Sequence, residues 1–389
     1  MFCSSLCALL LLVTLNSVQN VAAKSDPELH MNTPQIIERW GYPAIIYSVT
    51  TDDGYILELH RIPHGKNNVT WPNGKQPVVF MQHGLLCAST DWTMNLPDQS
   101  AAFIFADAGF DVWLGNMRGN TYWDEMATYD LPAMINKVLE VTGQESLYYM
   151  GHSQGTLTMF SHLSKDDGSF TKKIKKFFAL APVGSVKNIK GFLSFFAHYF
   201  SLEFDGWFDI FGAGEFLPNN WAMKLAAKDI CGGLKIESDL CDNVCFLIAG
   251  PESDQWNSTR VPVYASHDPA GTATQNIVHW IQMVRHGGVP AYDWGTKENK
   301  KKYGQANPPE YDFTVIKGTQ IYLYWSDADW LADKTDINDY LLTRLNPAII
   351  AQNNYFTDYN HFDFVFGLRA VHDIYNPIVD ICTKDYNGN

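Results

Sequence analysis

The chain has 389 residues, of which 46% are hydrophobic and 18% charged, and its formal net charge is −14. This balance excludes an intrinsically disordered chain, a collagen-like repeat and a coiled coil, and it predicts a globular protein with a large core. A surface this acidic repels the phosphates of nucleic acids, so we expect no nucleic-acid partner. The length predicts one large domain with an insertion, or two domains.

The N-terminal segment resembles a secretory signal peptide. Residues 1–23 carry no charged side chain, and Leu6–Leu15 is an apolar run too short to span a bilayer. Small residues at 21–23 then offer a cleavage site. We expect a secretory-pathway protein without a transmembrane segment, located in lysosomes or in an extracellular space such as the gut lumen. The alternative is a hydrophobic N-terminal helix of the core.

Glycosylation and cysteine patterns agree with that compartment. Asn68 and Asn257 each begin an N-x-S/T sequon, which predicts two glycosylation sites. Two of the seven cysteines lie in the predicted signal peptide, and the odd number that remains predicts at least one free thiol or a pairing between chains. Cys231, Cys241 and Cys245 form a cluster that suits a disulfide in an oxidising compartment. It lacks the second CxxC or histidine of a zinc site, and we expect no metal and no cofactor.

The strand pattern predicts an α/β fold. Asp53-Gly54 separates two strand-prone segments, Ile45–Thr50 and Tyr55–His60, as in an antiparallel hairpin. Short continuous apolar runs follow, as expected for strands buried on both faces of a parallel sheet, and helix-length stretches separate them. The predicted strands are Val78–Gln82, Val112–Leu114, Leu147–Met150, Phe177–Leu180, Ile321–Trp325 and Asn354–Phe356, and the predicted helices include Leu131–Thr142 and Thr156–Ser164.

The alternation of strands and helices stops between residues 185 and 308. We therefore assign residues 24–184 and 309–389 to the α/β core, and 185–308 to an inserted cap or lid. Positions 192–221 hold eleven aromatic residues in thirty, against 14% aromatic residues in the whole chain. Such a segment must bury its rings, either against a lipid ligand or in ordinary core packing, and the sequence leaves both open.

A serine motif lies at a strand-to-helix junction. Gly151-His152-Ser153-Gln154-Gly155 is G-x-S-x-G, and it directly follows the strand candidate at 146–150 and directly precedes the helix candidate at 156–164. A sharp turn there strains the serine backbone, and the flanking glycines allow the strand and helix to approach closely. This context predicts a nucleophile elbow with Ser153 as the nucleophile.

A serine nucleophile needs a histidine base and an acid that orients it. On this architecture the chain order is serine, acid, histidine. The acid should follow Ile321–Trp325, where Asp327, Asp329 and Asp333 occur, and spacing alone does not choose among them. Beyond them lie His361, in a polar loop, and His372, in a helix-like stretch.

We assign the base to His361 because a catalytic histidine follows the last strand in this chain order. Asp363 is too close to His361 in sequence to orient it and is expected to be structural. The oxyanion hole needs two backbone donors, for which we predict the N–H groups of Leu85 and Gln154. His83 and His152, which flank these loops, are expected to be structural hydrogen-bonding residues.

Several long segments together resemble the gastric and lysosomal acid lipase family, from about residue 32 to the C-terminus. The segments are His83-Gly84-Leu85-Leu86, Trp113-Leu114-Gly115-Asn116-Met117-Arg118-Gly119-Asn120-Thr121, Gly151-His152-Ser153-Gln154-Gly155-Thr156, Ala179-Leu180-Ala181-Pro182-Val183, Ser266-His267-Asp268-Pro269-Ala270-Gly271-Thr272, Asp329-Trp330-Leu331-Ala332-Asp333 and Tyr359-Asn360-His361-Phe362-Asp363-Phe364. The resemblance implies an α/β-hydrolase core with a cap and lid, and metal-free hydrolysis of triacylglycerol or cholesteryl ester at acidic pH. It also implies that Asp329 is the catalytic acid and that Cys231 and Cys241 form a disulfide.

The sequence departs from the family pattern in two places. Ser326 and Asp327 stand where the family has glycines, and a second carboxylate there could change the pKa of His361. Cys245 does not occupy the family's third cysteine position, where this chain has Ala249.

Two rival functions are a carboxylesterase for small esters and an inactive lipid-binding or storage protein. A dinucleotide enzyme is disfavoured because Gly212-Ala213-Gly214 lacks the third glycine of that fingerprint.

Overall fold

The structure is a computed structural model that describes residues 26–72, 74–119, 123–191, 194, 197, 215–216 and 249–388. The strands in this part of the chain are β1 (Ile45–Thr50), β2 (Ile56–Ile62), β3 (Val78–Gln82), β4 (Asp111–Gly115), β5 (Leu147–His152), β6 (Ile174–Leu180), β7 (Glu215–Phe216), β8 (Thr272–Ala273), β9 (Gln320–Ser326) and β10 (Ile350–Phe356). The longer helices there are α1 (Thr33–Arg39), α2 (Ala101–Asp107), α3 (Leu131–Thr142), α4 (Gln154–Lys165), α5 (Val261–His267), α6 (Thr274–His286), α7 (Thr296–Tyr303) and α8 (Asn376–Tyr386).

Eight strands form one mixed sheet in the order β1-β2-β4-β3-β5-β6-β9-β10. β2 pairs antiparallel with both β1 and β4, and all other neighbours are parallel. The predicted hairpin is confirmed, with Thr50 opposite Ile56 and with Gly54 in the turn at φ 90°. The mostly parallel sheet opened by an antiparallel hairpin is the α/β-hydrolase arrangement that the sequence predicts.

Burial across the sheet explains which strands the sequence showed most clearly. All residues of β3, β4 and β5 are buried, as continuous apolar runs predict. β10 forms an edge of the sheet, and the polar residues Gln352, Asn353 and Asn354 interrupt its apolar signal after Ile350 and Ala351. The sequence therefore found only the last three residues of this seven-residue strand.

Helix α3 has the bounds that the sequence predicts, because several local signals agree. Pro132 lies in its first turn and Gly143 ends it in the left-handed region at φ 62°. Its buried side chains recur at intervals of three and four residues, which places them on one face; they are Leu131, Met134, Ile135 and Val138.

The carboxyl ends of the parallel strands gather the predicted catalytic residues at one edge of the sheet. Leu85 follows β3, Ser153 follows β5, Asp329 follows β9 and His361 follows β10. In open α/β sheets this edge is where ligands bind, because the strand-to-helix loops converge there. The topology thus brings together residues that lie more than 270 positions apart in the chain.

The region predicted to be an insertion contributes no strand to the large sheet in its described part. β7 pairs with β8 in a separate two-stranded sheet, and α5, α6 and α7 follow. An ion pair from the buried Arg260 to the half-buried Asp26, at 2.8 Å, joins this region to the first described residues. Most of the aromatic run at 192–221 lies outside the described residues, and the boundaries at 185 and 308 remain predictions.

No helix in the described ranges combines the length and apolarity needed to cross a bilayer. Cys382 is a buried free thiol in α8, as the odd cysteine count predicts. Cys231, Cys241 and Cys245 lie outside the described residues, as do residues 1–23.

A buried acidic cluster lies between the loop after β3 and the inserted region. The Cys87 thiol and the carboxyls of Asp91 and Asp268 lie within 4.8 Å of one another, and all three residues are buried. The backbone N–H of Ala270 donates to the carbonyl of Leu86 at 2.7 Å, which fixes the two segments against each other. Burial raises the pKa of Asp91 to about 7; burial and the nearby Asp91 raise the pKa of Asp268 well above its ordinary value.

The folded protein therefore holds protons on this pair more tightly than the unfolded chain does. Its contribution to stability is complete below about pH 4, the ordinary aspartate pKa, and is lost as the pH rises through about 7. Raising the pH from 4 to 7 should lower the melting temperature of both proteins. We expect the fall in the Asp91→Asn variant to be roughly 3–5 °C smaller than the fall in the unsubstituted protein. Thermal denaturation at both pH values measures this, with the exposed Asp98→Asn as control. An equal fall in the Asp91→Asn variant and the unsubstituted protein would contradict it.

Candidate active site

Ser153 occupies the strained turn that the sequence predicts between β5 and α4. Its backbone has φ 54° and ψ −119°, a conformation that residues other than glycine rarely adopt. The turn is held by its own backbone: the Ser153 N–H donates to the carbonyl of Leu180 on β6 at 3.0 Å, and its carbonyl accepts from Thr156 N–H at 2.8 Å. These bonds fix the serine at the end of β5 despite its strain.

The two glycines of the motif are required by close backbone contacts. A Cβ atom on Gly155 would lie 2.6 Å from the carbonyl oxygen of Gln82 and 2.9 Å from that of His83. A Cβ on Gly151 would lie 3.0 Å from the carbonyl group of Gly155. Neither position has room for a side chain, which is the physical basis of the G-x-S-x-G pattern.

His361 and Asp329 form a buried acid–base pair. Nδ1 of His361 donates to both carboxyl oxygens of Asp329, at 2.9 Å each. Oδ1 of Asp329 also accepts from the backbone N–H groups of Leu331 and Ala332, at 2.8 Å each. With its proton on Nδ1, the imidazole leaves Nε2 as the basic nitrogen, and Nε2 is buried with no hydrogen-bond partner among the described residues.

The histidine also lies against the residue that precedes the serine. Nε2 of His152 donates to the backbone carbonyl of His361 at 2.8 Å, and the two rings are 4.8 Å apart. Ser153 and His361 are 2% and 1% exposed, so both are shielded from bulk water. Nε2 of His361 makes no hydrogen bond to the Ser153 hydroxyl in this structure. Such a contact commonly tightens only when substrate binds.

The other aspartates after β9 have different partners. Asp327 forms a surface ion pair with Lys334 at 3.1 Å. Burial slightly opposes ionisation of Asp327, but hydrogen bonds from Tyr355 and Lys334 outweigh it and lower the pKa of Asp327. Asp333 caps a helical turn by accepting from the Thr335 N–H at 2.7 Å. Asp329 alone of the three contacts His361.

The remaining polar residues near the base have structural contacts. Oδ2 of Asp363 accepts from the Asn360 N–H at 2.6 Å, and its Oδ1 accepts from the Trp256 indole at 2.9 Å. Burial raises the pKa of Asp363 to about 6, against these hydrogen bonds and one from Ser253. Asp363 thus braces the loop that carries His361, in agreement with its predicted structural role. His372 is exposed in a helical turn.

Two further residues join the acid and base loops, and sequence reasoning missed both. The Ser326 hydroxyl accepts from the N–H groups of Tyr359 at 3.0 Å and Ala328 at 3.3 Å. The backbone carbonyl of Ala249 accepts from the N–H groups of His361 at 3.0 Å and Trp330 at 3.2 Å. The sequence offered a signal for Ser326, because a polar residue at the end of a buried strand needs a hydrogen-bond partner. Ala249 had none, because a carbonyl acceptor is independent of residue type.

The predicted oxyanion donors are on two segments beside Ser153: Leu85 is in the loop after β3 and Gln154 begins α4. Gly84 passes so close that its added Cβ would lie 3.0 Å from the Cβ of Ser153 and 3.4 Å from its hydroxyl oxygen. Leu85 follows directly, and Gln154 is the first residue of α4. A cavity of about 430 Å³ lies elsewhere, near Lys165, whereas one of about 180 Å³ is lined by Gly84 and Gln154.

His83 and His152 are neutral, hydrogen-bonded residues, in keeping with their predicted structural roles. Nδ1 of His83 donates to the Gly84 carbonyl at 2.9 Å and its Nε2 accepts from the Met117 N–H at 3.3 Å. Burial lowers the pKa of His83 to about 4. Burial, followed by the proximity of His361, lowers the pKa of His152 well below its ordinary value.

Comparison with known proteins agrees with this fold. The family model described as "alpha/beta hydrolase fold" matches residues 77–368, and the model of a partial alpha/beta-hydrolase lipase region matches residues 33–96. This chain belongs to the α/β-hydrolase lipases. Lipase membership makes the protein a hydrolase, as the sequence predicts.

Three relatives of this lipase cover nearly its whole length. Lipase lipl-3 of Caenorhabditis elegans is 90% identical over 404 residues, covering 99% of this chain and 100% of that one. Gastric triacylglycerol lipase of Homo sapiens is 43% identical over 381 residues, covering 92% and 93%. Lysosomal acid lipase/cholesteryl ester hydrolase of Homo sapiens is 43% identical over 380 residues, covering 92% of each chain.

The two sequons of the lipase lie at described positions. Asn68 is exposed, whereas Asn257 is half-buried and its Nδ2 donates to Gln99 Oε1 at 2.9 Å. Glycosylation at either position remains a prediction.

The close packing of the lipase elbow gives a test by substitution. We expect Gly155→Ala to destabilise the protein by about 3 kcal/mol or more, because its Cβ meets backbone oxygens that cannot rotate away. Gly119→Ala is the control, since Gly119 is exposed and an added Cβ there meets no atom of the described residues within 4 Å. Chemical denaturation of both variants measures the difference; equal stability of the two would contradict the packing argument.

Proposed function

We propose that this lipase hydrolyses the carboxylic ester bonds of neutral lipids, triacylglycerol and cholesteryl ester, through an acyl-enzyme on Ser153. The observation that carries the proposal is the buried pair of His361 and Asp329 at the same sheet edge as the strained Ser153. The names of the gastric and lysosomal relatives support the substrate class. The mechanism needs neither a metal nor another cofactor.

The chemistry follows from the roles of the three side chains. Nε2 of His361 takes the proton of the Ser153 hydroxyl while the serine oxygen attacks the ester carbonyl. The N–H groups of Leu85 and Gln154 bind the resulting oxyanion, where such a donor typically contributes roughly 3 kcal/mol. His361 then returns the proton to the departing alcohol, and the ester C–O bond breaks to leave the acyl-enzyme.

Deacylation repeats the sequence with water. His361 takes a proton from the water, the hydroxide oxygen attacks the acyl carbon, and the proton returns to Ser153 as the fatty acid leaves. Asp329 holds the Nδ1–H tautomer of His361 and stabilises the imidazolium that forms in each half-reaction. The donor geometry at Asp329 supports this role, because two backbone N–H groups also orient its carboxylate.

We further propose that the enzyme acts in an acidic lumen, either in lysosomes or outside the cell, after removal of residues 1–23. The gastric and lysosomal relatives support this location. In the same compartment Cys231 and Cys241 would form a disulfide, and Asn68 and Asn257 would carry glycans. The aromatic run at 192–221 would line or gate the acyl site at a lipid–water interface.

The nucleophile is tested by Ser153→Ala. We expect kcat on triolein and cholesteryl oleate at acidic pH to fall on the order of 10⁶-fold, as in other serine triads. Assays with a short-chain ester beside these substrates separate a lipase from a small-ester carboxylesterase. Retained turnover in Ser153→Ala would show that another residue is the nucleophile. Absence of turnover in the unsubstituted protein would favour a lipid-binding protein.

The choice of acid is tested by a matched pair of substitutions two residues apart. Asp329→Asn removes the carboxylate that fixes the imidazole tautomer, so we expect kcat to fall by about 10⁴-fold. Asp327→Asn removes a surface ion pair with Lys334 and weakens a surface hydrogen bond from Tyr355, and it should change kcat by less than about 3-fold. Steady-state kinetics of both variants decide the matter. A larger loss in Asp327→Asn than in Asp329→Asn would reverse the assignment.

A further inference from the structure

The side chain of Gln154 is held at both ends of its amide. Its Oε1 accepts from the indole N–H of Trp280 at 2.7 Å and from Nδ2 of Asn276 at 3.1 Å. Its Nε2 donates to the sulfur of Met126 at 3.2 Å. All four residues are buried, so this amide is fixed by its neighbours and not by solvent.

Both donors to Oε1 come from one helix of the inserted region. Asn276 and Trp280 are four residues apart on α6 and therefore lie on the same face. Nδ2 of Asn276 also donates to the hydroxyl of Thr272 at 3.0 Å, which ties the start of α6 to β8. The contact between α6 and the first residue of α4 thus consists of directional hydrogen bonds. One of its donors, Asn276, is also held in place by its bond to Thr272.

The position of this contact matters because Gln154 carries a predicted oxyanion donor. As the first residue of α4, Gln154 has an N–H that no residue of its own helix can accept. Fixing its side chain limits rotation of the residue, and with it the direction of the N–H that belongs to the strained turn after Ser153. An oxyanion donor is effective only when its direction is set before the charge develops.

We propose that Trp280 and Asn276 are positioning residues that aim the Gln154 N–H at the oxyanion, so that the inserted region takes part in transition-state stabilisation. The proposal rests on the proposed function, since it needs Ser153 to be the nucleophile and Gln154 to be an oxyanion donor. It gives the insertion a role in kcat that is separate from any role in admitting or binding lipid.

Trp280→Phe removes the indole donor and keeps an aromatic ring in place. On a soluble short-chain ester, where adsorption to an interface does not enter, we expect kcat to fall about 10- to 100-fold with KM nearly unchanged. Trp294→Phe is the matched control, because its indole donates to the Tyr303 hydroxyl at 3.2 Å in the same inserted region. We expect it to change kcat by less than about 2-fold. Active sites are counted by titration with an organophosphonate, so that kcat refers to folded enzyme.

A double-substitution cycle separates positioning from general packing. Gln154→Met removes the amide that Trp280 contacts but keeps the backbone N–H. If Trp280 acts through Gln154, Trp280→Phe will cost little further kcat in the Gln154→Met background. The same loss in both backgrounds, or a rise in KM alone, would overturn the proposal. Should Trp280→Phe not fold, Asn276→Ala is carried through the same cycle.

Failure of this inference can be told from failure of the proposed function. If Ser153→Ala retains turnover, the catalytic assignment itself is wrong, whatever Trp280→Phe does. If Ser153→Ala is inactive while Trp280→Phe behaves like Trp294→Phe, only the positioning role is rejected.

Discussion

The strained position of Ser153, the proposed nucleophile, depends on how closely α4 passes the end of β3. The carbonyl oxygens of Gln82 and His83 lie where a side chain on Gly155 would be, and Gly84 lies against Ser153 itself. A positive φ at a serine costs about 1–3 kcal/mol and persists only where the surroundings determine it. Here backbone bonds to β6 and to the first turn of α4 hold Ser153 in place. The strain is the consequence of packing three backbone segments within contact distance.

The region predicted to be an insertion contacts the edge that carries the proposed catalytic residues at several points. The carbonyl of Ala249 bonds to the loops of Asp329 and His361, and Ala270 bonds to Leu86 beside the loop that carries a predicted oxyanion donor. Helix α6 holds the side chain of Gln154. These contacts reach the segments that carry His361, Asp329, Leu86 and Gln154, so the predicted insertion is bonded to this edge of the sheet at several separate positions in the described part of the chain.

Burial also governs the titration of groups outside the proposed triad. It lowers the pKa values of His83 and His152, which disfavours a positive charge on either ring. It raises those of several aspartates, among them Asp124, to about 7, and Asp363, to about 6. Carboxyls of this kind contribute their full stability only at acidic pH, where they are protonated in the folded state. The buried histidines, His83 and His152, have the opposite dependence, because their lowered pKa values cost stability at acidic pH.

The sequence by itself determined the elements and residues whose signals are local. The hairpin, the buried central strands, α3 and the serine elbow follow from turn residues, apolar runs and glycine spacing, which act over a few neighbouring residues. Chain order reduced the base to His361 but left three aspartates open, and only the resemblance to a family chose Asp329. The described structure adds the hydrogen bonds between Asp329 and His361 that distinguish this residue from Asp327 and Asp333.

Only the tertiary structure decided which distant groups support these residues. The strand order joins segments that are distant in the chain. The hydrogen bonds at Ser326, at the Ala249 carbonyl and at the Gln154 side chain do the same, and some of them join residues more than a hundred positions apart. A backbone carbonyl has the same chemistry in every residue. The presence of an asparagine or a tryptophan in a helix does not indicate which residue its side chain will contact. The sequence could predict candidate reacting groups because their chemistry is specific to residue type. It could not name their supports, because those depend on where the chain passes in space.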